Sequence, residues 1–105
     1  MSLVGTIRHR EFEREGSEPI VHNLGFIPEG KQKTTKTIGM MKPGMHDFGV
    51  IQRDEEIEVT DGAIKINGTL YSRGSGKCII KPGDRVVFIA EEVSSYMCNF
   101  PNETR

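Results

Sequence analysis

The stretch 55–69, EEIEVTDGAIKINGT, constrains the fold more than any other part of the chain. Ile57 and Val59 precede Asp61-Gly62, and Ile64 and Ile66 follow it, each pair alternating with polar residues. That period of two marks half-buried strands. Asp61-Gly62 and Asn67-Gly68 are two-residue turn signals. A type I′ turn needs positive φ at both central positions, which Asp, Asn and Gly tolerate at low cost. The expected result is a tight meander in which Thr60 faces Ala63, Val59 faces Ile64, Glu58 faces Lys65 and Ile57 faces Ile66. The second turn then sets Tyr71 beside Ile64. A slip of one residue would turn every apolar side chain to the wrong face.

The rest of the chain reads the same way. Strands are expected at 19–26, 37–41, 45–53, 78–81, 85–90 and 93–100, with Gly49 marking a bulge or a close backbone approach. No long segment carries an apolar period of 3.6. Short strands separated by turn residues predict an all-β barrel or sandwich, and 105 residues suffice for a single domain. Residues 1–17 alternate arginine with glutamate and fit a frayed arm, a short edge strand or a short helix, with a solvated N-terminal arm ahead of a domain spanning 18–105 as the favoured reading.

Composition narrows the function classes. A formal net charge of −1 gives no electrostatic case for nucleic acid or an anionic membrane. No apolar run approaches the ~20 residues of a membrane span, and the N-terminus shows no secretory h-region. Cys78 and Cys98 sit in apolar strand-like runs, outside any CxxC or metal-ligand spacing. They read as buried reduced thiols of a cytoplasmic protein, with a disulfide or a nucleophile as the alternatives.

Two spacings resemble cupin motifs. Glu55 is followed after six residues by Gly62, and Gly76 after five by Pro82-Gly83. Cupins are small jelly-roll barrels built from two such motifs. A longer string resembles the small cupin family of pyrimidine/purine nucleoside phosphorylases. It comprises Gly39-Met40-Met41, Pro43-Gly44, Phe48, Glu55, Val59, Gly62-Ala63, Gly76, Pro82-Gly83 and the run Ser95-Tyr96-Met97-Cys98-Asn99-Phe100. The resemblance covers about residues 20–100. It implies a cytoplasmic homodimer that cleaves purine and pyrimidine nucleosides with inorganic phosphate to free base and ribose 1-phosphate, with no cofactor besides that co-substrate.

Candidate site residues follow from the chemistry of such a ligand. Glu55 shares parity with Ile57 and Val59 and should point inward. An inward carboxylate is costly unless paired or used, so it either binds a sugar or forms an ion pair with Arg53. Tyr96 and Phe48 serve as base-stacking faces or as core. Arg53 and Lys36 are the phosphate candidates, aided by hydroxyls at Thr34, Thr35 and Thr37, and charged strand ends are their plainer reading. The fragment GSGK at 74–77 lacks the strand–helix context of a phosphate loop. A metal-binding cupin would need about three N/O ligands. His9, His22 and His46 lie outside the expected slots, so no metal is expected. Catalytic residues are not assigned. The rival functions are a non-catalytic barrel binding a small metabolite such as a nucleoside, and a metal-dependent cupin isomerase or oxygenase.

Overall fold

The computed structural model describes residues 5–13, 19–31 and 33–101. Among them ten strands form and no α-helix: β1 (Gly5–Glu13), β2 (Pro19–Pro28), β3 (Lys36–Met41), β4 (Gly44–Val50), β5 (Glu55–Asp61), β6 (Ala63–Ile66), β7 (Thr69–Ser72), β8 (Lys77–Ile80), β9 (Arg85–Ala90) and β10 (Ser94–Asn99). The larger sheet has the order β1-β2-β3-β10-β5-β8 and the smaller one β4-β9-β6-β7. Every strand pairing within the two sheets is antiparallel. From β3 onward the chain passes from one sheet to the other at each connection except β6–β7. That is jelly-roll topology, built as two facing sheets whose ladders stay separate.

Alternation in the sequence becomes alternation in burial. β3, β8, β9 and β10 each bury every second residue. Ile57, Val59, Cys98 and Tyr96 from the larger sheet meet Ile64, Ile66, Val86 and Phe88 from the smaller one in a single core. Each fully buried aliphatic side chain there contributes roughly 1.5–3 kcal/mol.

One expected turn forms and the other does not. Asn67-Gly68 closes the β6–β7 hairpin with Ile64 opposite Tyr71 and Ile66 opposite Thr69. Asn67 has φ 50° and Gly68 φ 87°, the two positive values a type I′ turn needs. The Asp61-Gly62 hairpin is a correction. β5 pairs with β10 and β8, while β6 pairs with β7 and β9, so none of the expected β5–β6 partners meet. Gly62 has φ 73° but Asp61 does not have positive φ, so the chain turns a corner between sheets there. Both arrangements put Ile57, Val59, Ile64 and Ile66 into one core, which is why parity could not separate them.

The bulge at Gly49 forms, with φ 80° and a register shift between Asp47 and Gly49 on β9. The Asp47 carboxylate accepts a hydrogen bond from the Gly49 N–H at 2.8 Å. The segment 1–17 contains β1, an edge strand laddered to β2 over its whole length. The smaller sheet sets β4 against β2 and β7 against β5. β1 thus extends the larger sheet beyond its partner, and its inner face borders an open space.

Candidate functional site

A cavity of about 450 Å³ opens between the sheets and runs out under β1. Glu55, at the start of β5, lies on its floor. Burial pushes the Glu55 carboxyl above the usual carboxylate range, an effect opposed by the hydrogen bond from Cys98 and by the nearby Arg53 charge. The Cys98 thiol donates to Glu55 Oε1 at 3.0 Å. Burial, reinforced by the Glu55 charge, pushes that thiol well up, so it stays protonated and is not a ready nucleophile. Both cysteines are free and buried.

The expected Arg53–Glu55 ion pair does not form: among the described residues no such contact falls within 4.0 Å. Arg53 instead lays its guanidinium over the Phe100 ring, 3.6 Å from the centroid, and donates from Nη1 to the Thr34 carbonyl at 3.2 Å. Such a stacked guanidinium keeps most of its donors for another partner. Glu55 Oε2 receives no hydrogen bond, and no described buried side-chain oxygen lacks a partner, so this oxygen opens into the cavity.

The wall is aromatic. Phe48 meets Phe88 edge to face at 4.9 Å, and Phe88 meets Tyr96 in the same way at 5.1 Å. The Tyr96 hydroxyl donates to Asn23 Oδ1, and burial holds the phenol well above its ordinary pKa. This bond passes directly over Gly39, where any Cβ would collide with the Tyr96 ring and Asn23. The glycine is there to let the tyrosine cross β3. The rim is basic: Arg8 and Arg10 reach the cavity from β1, and Lys33 from the loop after β2.

Glu55, Tyr96, Phe48 and Arg53 therefore line one cavity. Lys36 does not. It alternates with buried Thr37 along β3 and is exposed on the outer face. Thr34 and Thr37 line the cavity, whereas Thr35 is buried and used by the backbone: its N–H donates to the Phe26 carbonyl, and its own carbonyl accepts from Phe100. The GSGK segment is an exposed turn leading into β8, whose first residue Lys77 pairs with Glu56 at 3.4 Å. Sequence reasoning missed Arg8, Arg10, Asn23, Phe88 and Phe100. Period-two spacing of Arg8 and Arg10 was the available signal, obscured by the mixed charges around it.

The metal set of a typical cupin does not fit here. Among the described cavity residues Glu55 is present but no histidine is. His46 packs its ring edge to face against Phe48 at 4.5 Å, and His9 and His22 lie on the outer face of β1–β2.

No protein-family model and no curated protein matches the chain. Solved structures do. A protein of unknown function from Vibrio parahaemolyticus is 26% identical, with a TM-score of 0.66 over 90% of this chain and 97% of that one. A DUF1255 protein of unknown function from Acinetobacter sp. ADP1 is 19% identical, with a TM-score of 0.66 over 90% and 92% of the two chains. An ethanolamine utilization protein of EutQ type from Salmonella typhimurium LT2 is 11% identical, with a TM-score of 0.54 over 96% and 98%. The fold is a cupin-like jelly roll.

These findings correct the resemblance to nucleoside phosphorylases. These similar structures are described as proteins of unknown function or as an ethanolamine utilization protein, and none of them as a nucleoside phosphorylase. The structure gives the reason. The motif string is spent largely on folding: Gly39 admits Tyr96, Gly62 turns a corner against Ser94, and Tyr96 and Cys98 alternate into the core. Residues with such duties track a fold, whatever its activity. No helix among the described residues is long and apolar enough to cross a membrane.

Proposed function

We propose that the protein is a binding protein without catalytic activity, taking one small polar metabolite into the cavity between its sheets. The observation that carries this reading is the arrangement of Glu55 and Arg53. An inward carboxylate oxygen and a stacked guanidinium face the same 450 Å³ space without neutralising each other. Cavities of roughly 300–1,000 Å³ with an apolar wall and a few convergent polar groups suit small ligands. The Phe48–Phe88–Tyr96 wall supports a flat ring, Glu55 accepts from ligand hydroxyl or N–H groups, and Arg53 with Arg8 offers donors to an anionic group. The protonated Cys98 thiol and neutral Tyr96 phenol favour binding over chemistry.

The test is calorimetric titration with a panel of nucleosides, nucleotides and sugar acids, followed by chromatography of the recovered ligand. The expected outcome is one ligand per chain, returned unchanged, with affinity reduced about tenfold or more by Arg53→Ala and by Glu55→Gln. Consumption of the ligand would replace this reading with an enzymatic one. Binding that ignores both substitutions would move the site elsewhere.

A further inference from the structure

Across the β1–β2 hairpin from the cavity, three side chains converge that the binding reading does not use. Glu11 and His22 are direct cross-strand partners, and His9 lies two residues before Glu11 on the same face. The Glu11 Oε1 atom is 3.5 Å from His22 Nδ1 and 3.8 Å from His9 Nε2. All three donor atoms lie within 4.8 Å of one another. The two imidazole rings stack nearly parallel, 10° apart, with centroids 6.0 Å from each other.

We propose that His9, Glu11 and His22 form a site for one divalent transition-metal ion on the outer face of this hairpin. Metal–ligand bonds of about 2.0–2.2 Å at a tetrahedral ion place neighbouring donors about 3.4 Å apart. The two histidine–glutamate separations come within a few tenths of an ångström of that spacing, which small χ rotations supply. Two imidazoles and one carboxylate select zinc, cobalt or nickel over magnesium or calcium, which prefer all-oxygen shells. The neighbours on the same face are apolar: Leu24 stands opposite His9 and Met40 opposite His22. Three protein ligands leave at least one position for water or an outside group.

The placement also has a purpose in the fold. β1 is an edge strand laddered to β2 alone, and its inner face carries Arg8 and Arg10 to the cavity rim. An ion joining Glu11 to His22 pins β1 to β2 from outside and holds the rim arginines in register.

Untagged protein is titrated with cobalt, followed by visible absorption, and with zinc, followed by calorimetry and thermal unfolding. The expected result is one ion per chain and a zinc-dependent rise in unfolding temperature, unaffected by excess magnesium. His9→Ala, His22→Ala and Glu11→Gln should each weaken binding about tenfold or more and remove the thermal shift, while His46→Ala leaves both intact. All three variants change exposed or half-buried positions, and circular dichroism verifies that they fold. Absence of saturable binding at one ion per chain, or binding that the three variants leave unchanged, overturns the proposal.

Discussion

The two ends of the β5–β10 strand pair are built from the same antiparallel ladder and serve opposite purposes. At one end, Gly62 turns the corner between sheets against Ser94. Ser94 is only 1% exposed, yet its polar atoms are satisfied: Oγ accepts from the Ala63 N–H at 3.1 Å and has the carbonyls of Ala63 and Glu92 at 3.1 and 3.0 Å for its own proton. A Cβ at Gly62 would collide with Ser94 and come 2.9 Å from the Val93 carbonyl. At the other end, Glu55 meets only a weak thiol donor, and Arg53 lies on an aromatic ring beside open space. Polar groups that satisfy one another close the first end. Polar groups left partly unsatisfied open the second to a ligand.

Substitutions at the two ends should separate these roles, with losses shrinking toward the cavity. Gly62→Ala adds a side chain at φ 73° into a filled corner and should cost about 3 kcal/mol in chemical denaturation, from strain and overpacking together. Ser94→Ala should cost about 2 kcal/mol by leaving the Ala63 N–H without its side-chain partner in a half-buried corner. Arg53→Ala, at the open end, should cost about 1 kcal/mol by removing the ring contact and the hydrogen bond to Thr34. An Arg53 loss as large as that of Gly62 would erase the contrast between the ends.

Glu55→Gln should have the smallest effect at neutral pH, within about 1 kcal/mol, and its signature is the pH dependence. The folded-state pKa of Glu55 lies above the ordinary carboxylate value because of burial. The native chain therefore holds this proton more tightly than the unfolded chain does. The resulting stability is fully present below the ordinary carboxylate range and is lost as pH rises through the raised value. In the difference between parent and Glu55→Gln stabilities, the parent should gain ground as pH falls through that window. A flat difference curve would mean that Glu55 titrates normally and that the open end does not desolvate it.

Much of the fold was legible because alternation survives every choice of partner. Ile57, Val59, Ile64, Ile66, Tyr96 and Cys98 all face the core, as their spacing required. Partner choice was less legible. Asp61-Gly62 and Asn67-Gly68 carry the same local signal, but only the second makes a hairpin. What distinguishes them is tertiary. The Asn67 side chain donates to the Arg85 carbonyl at 2.7 Å and accepts from the Val87 N–H at 2.9 Å, while Gly62 is committed to a packed serine 32 residues away in the chain. The cavity was legible through inward parity at Glu55 and Tyr96 and through the aromatic Phe48. Lys36 lies one residue out of phase with Thr37, and alternation assigns it outward. The arginines of β1 stayed hidden because nothing in a mixed-charge stretch announces which neighbour an edge strand will have.

The strand order also dictates a sequence of events in time. β10, the last of the ten described strands, lies in the middle of the larger sheet, between β3 and β5. Until it arrives, that sheet exists only as two fragments, β1-β2-β3 and β5-β8. Its partners lie far back along the chain, so joining them requires long loop closures, the slow kind of step in folding. The same strand carries Tyr96 and Cys98. A nascent chain thus completes its cavity in the same step that unites its larger sheet, and a half-made copy has no finished pocket with which to sequester a ligand.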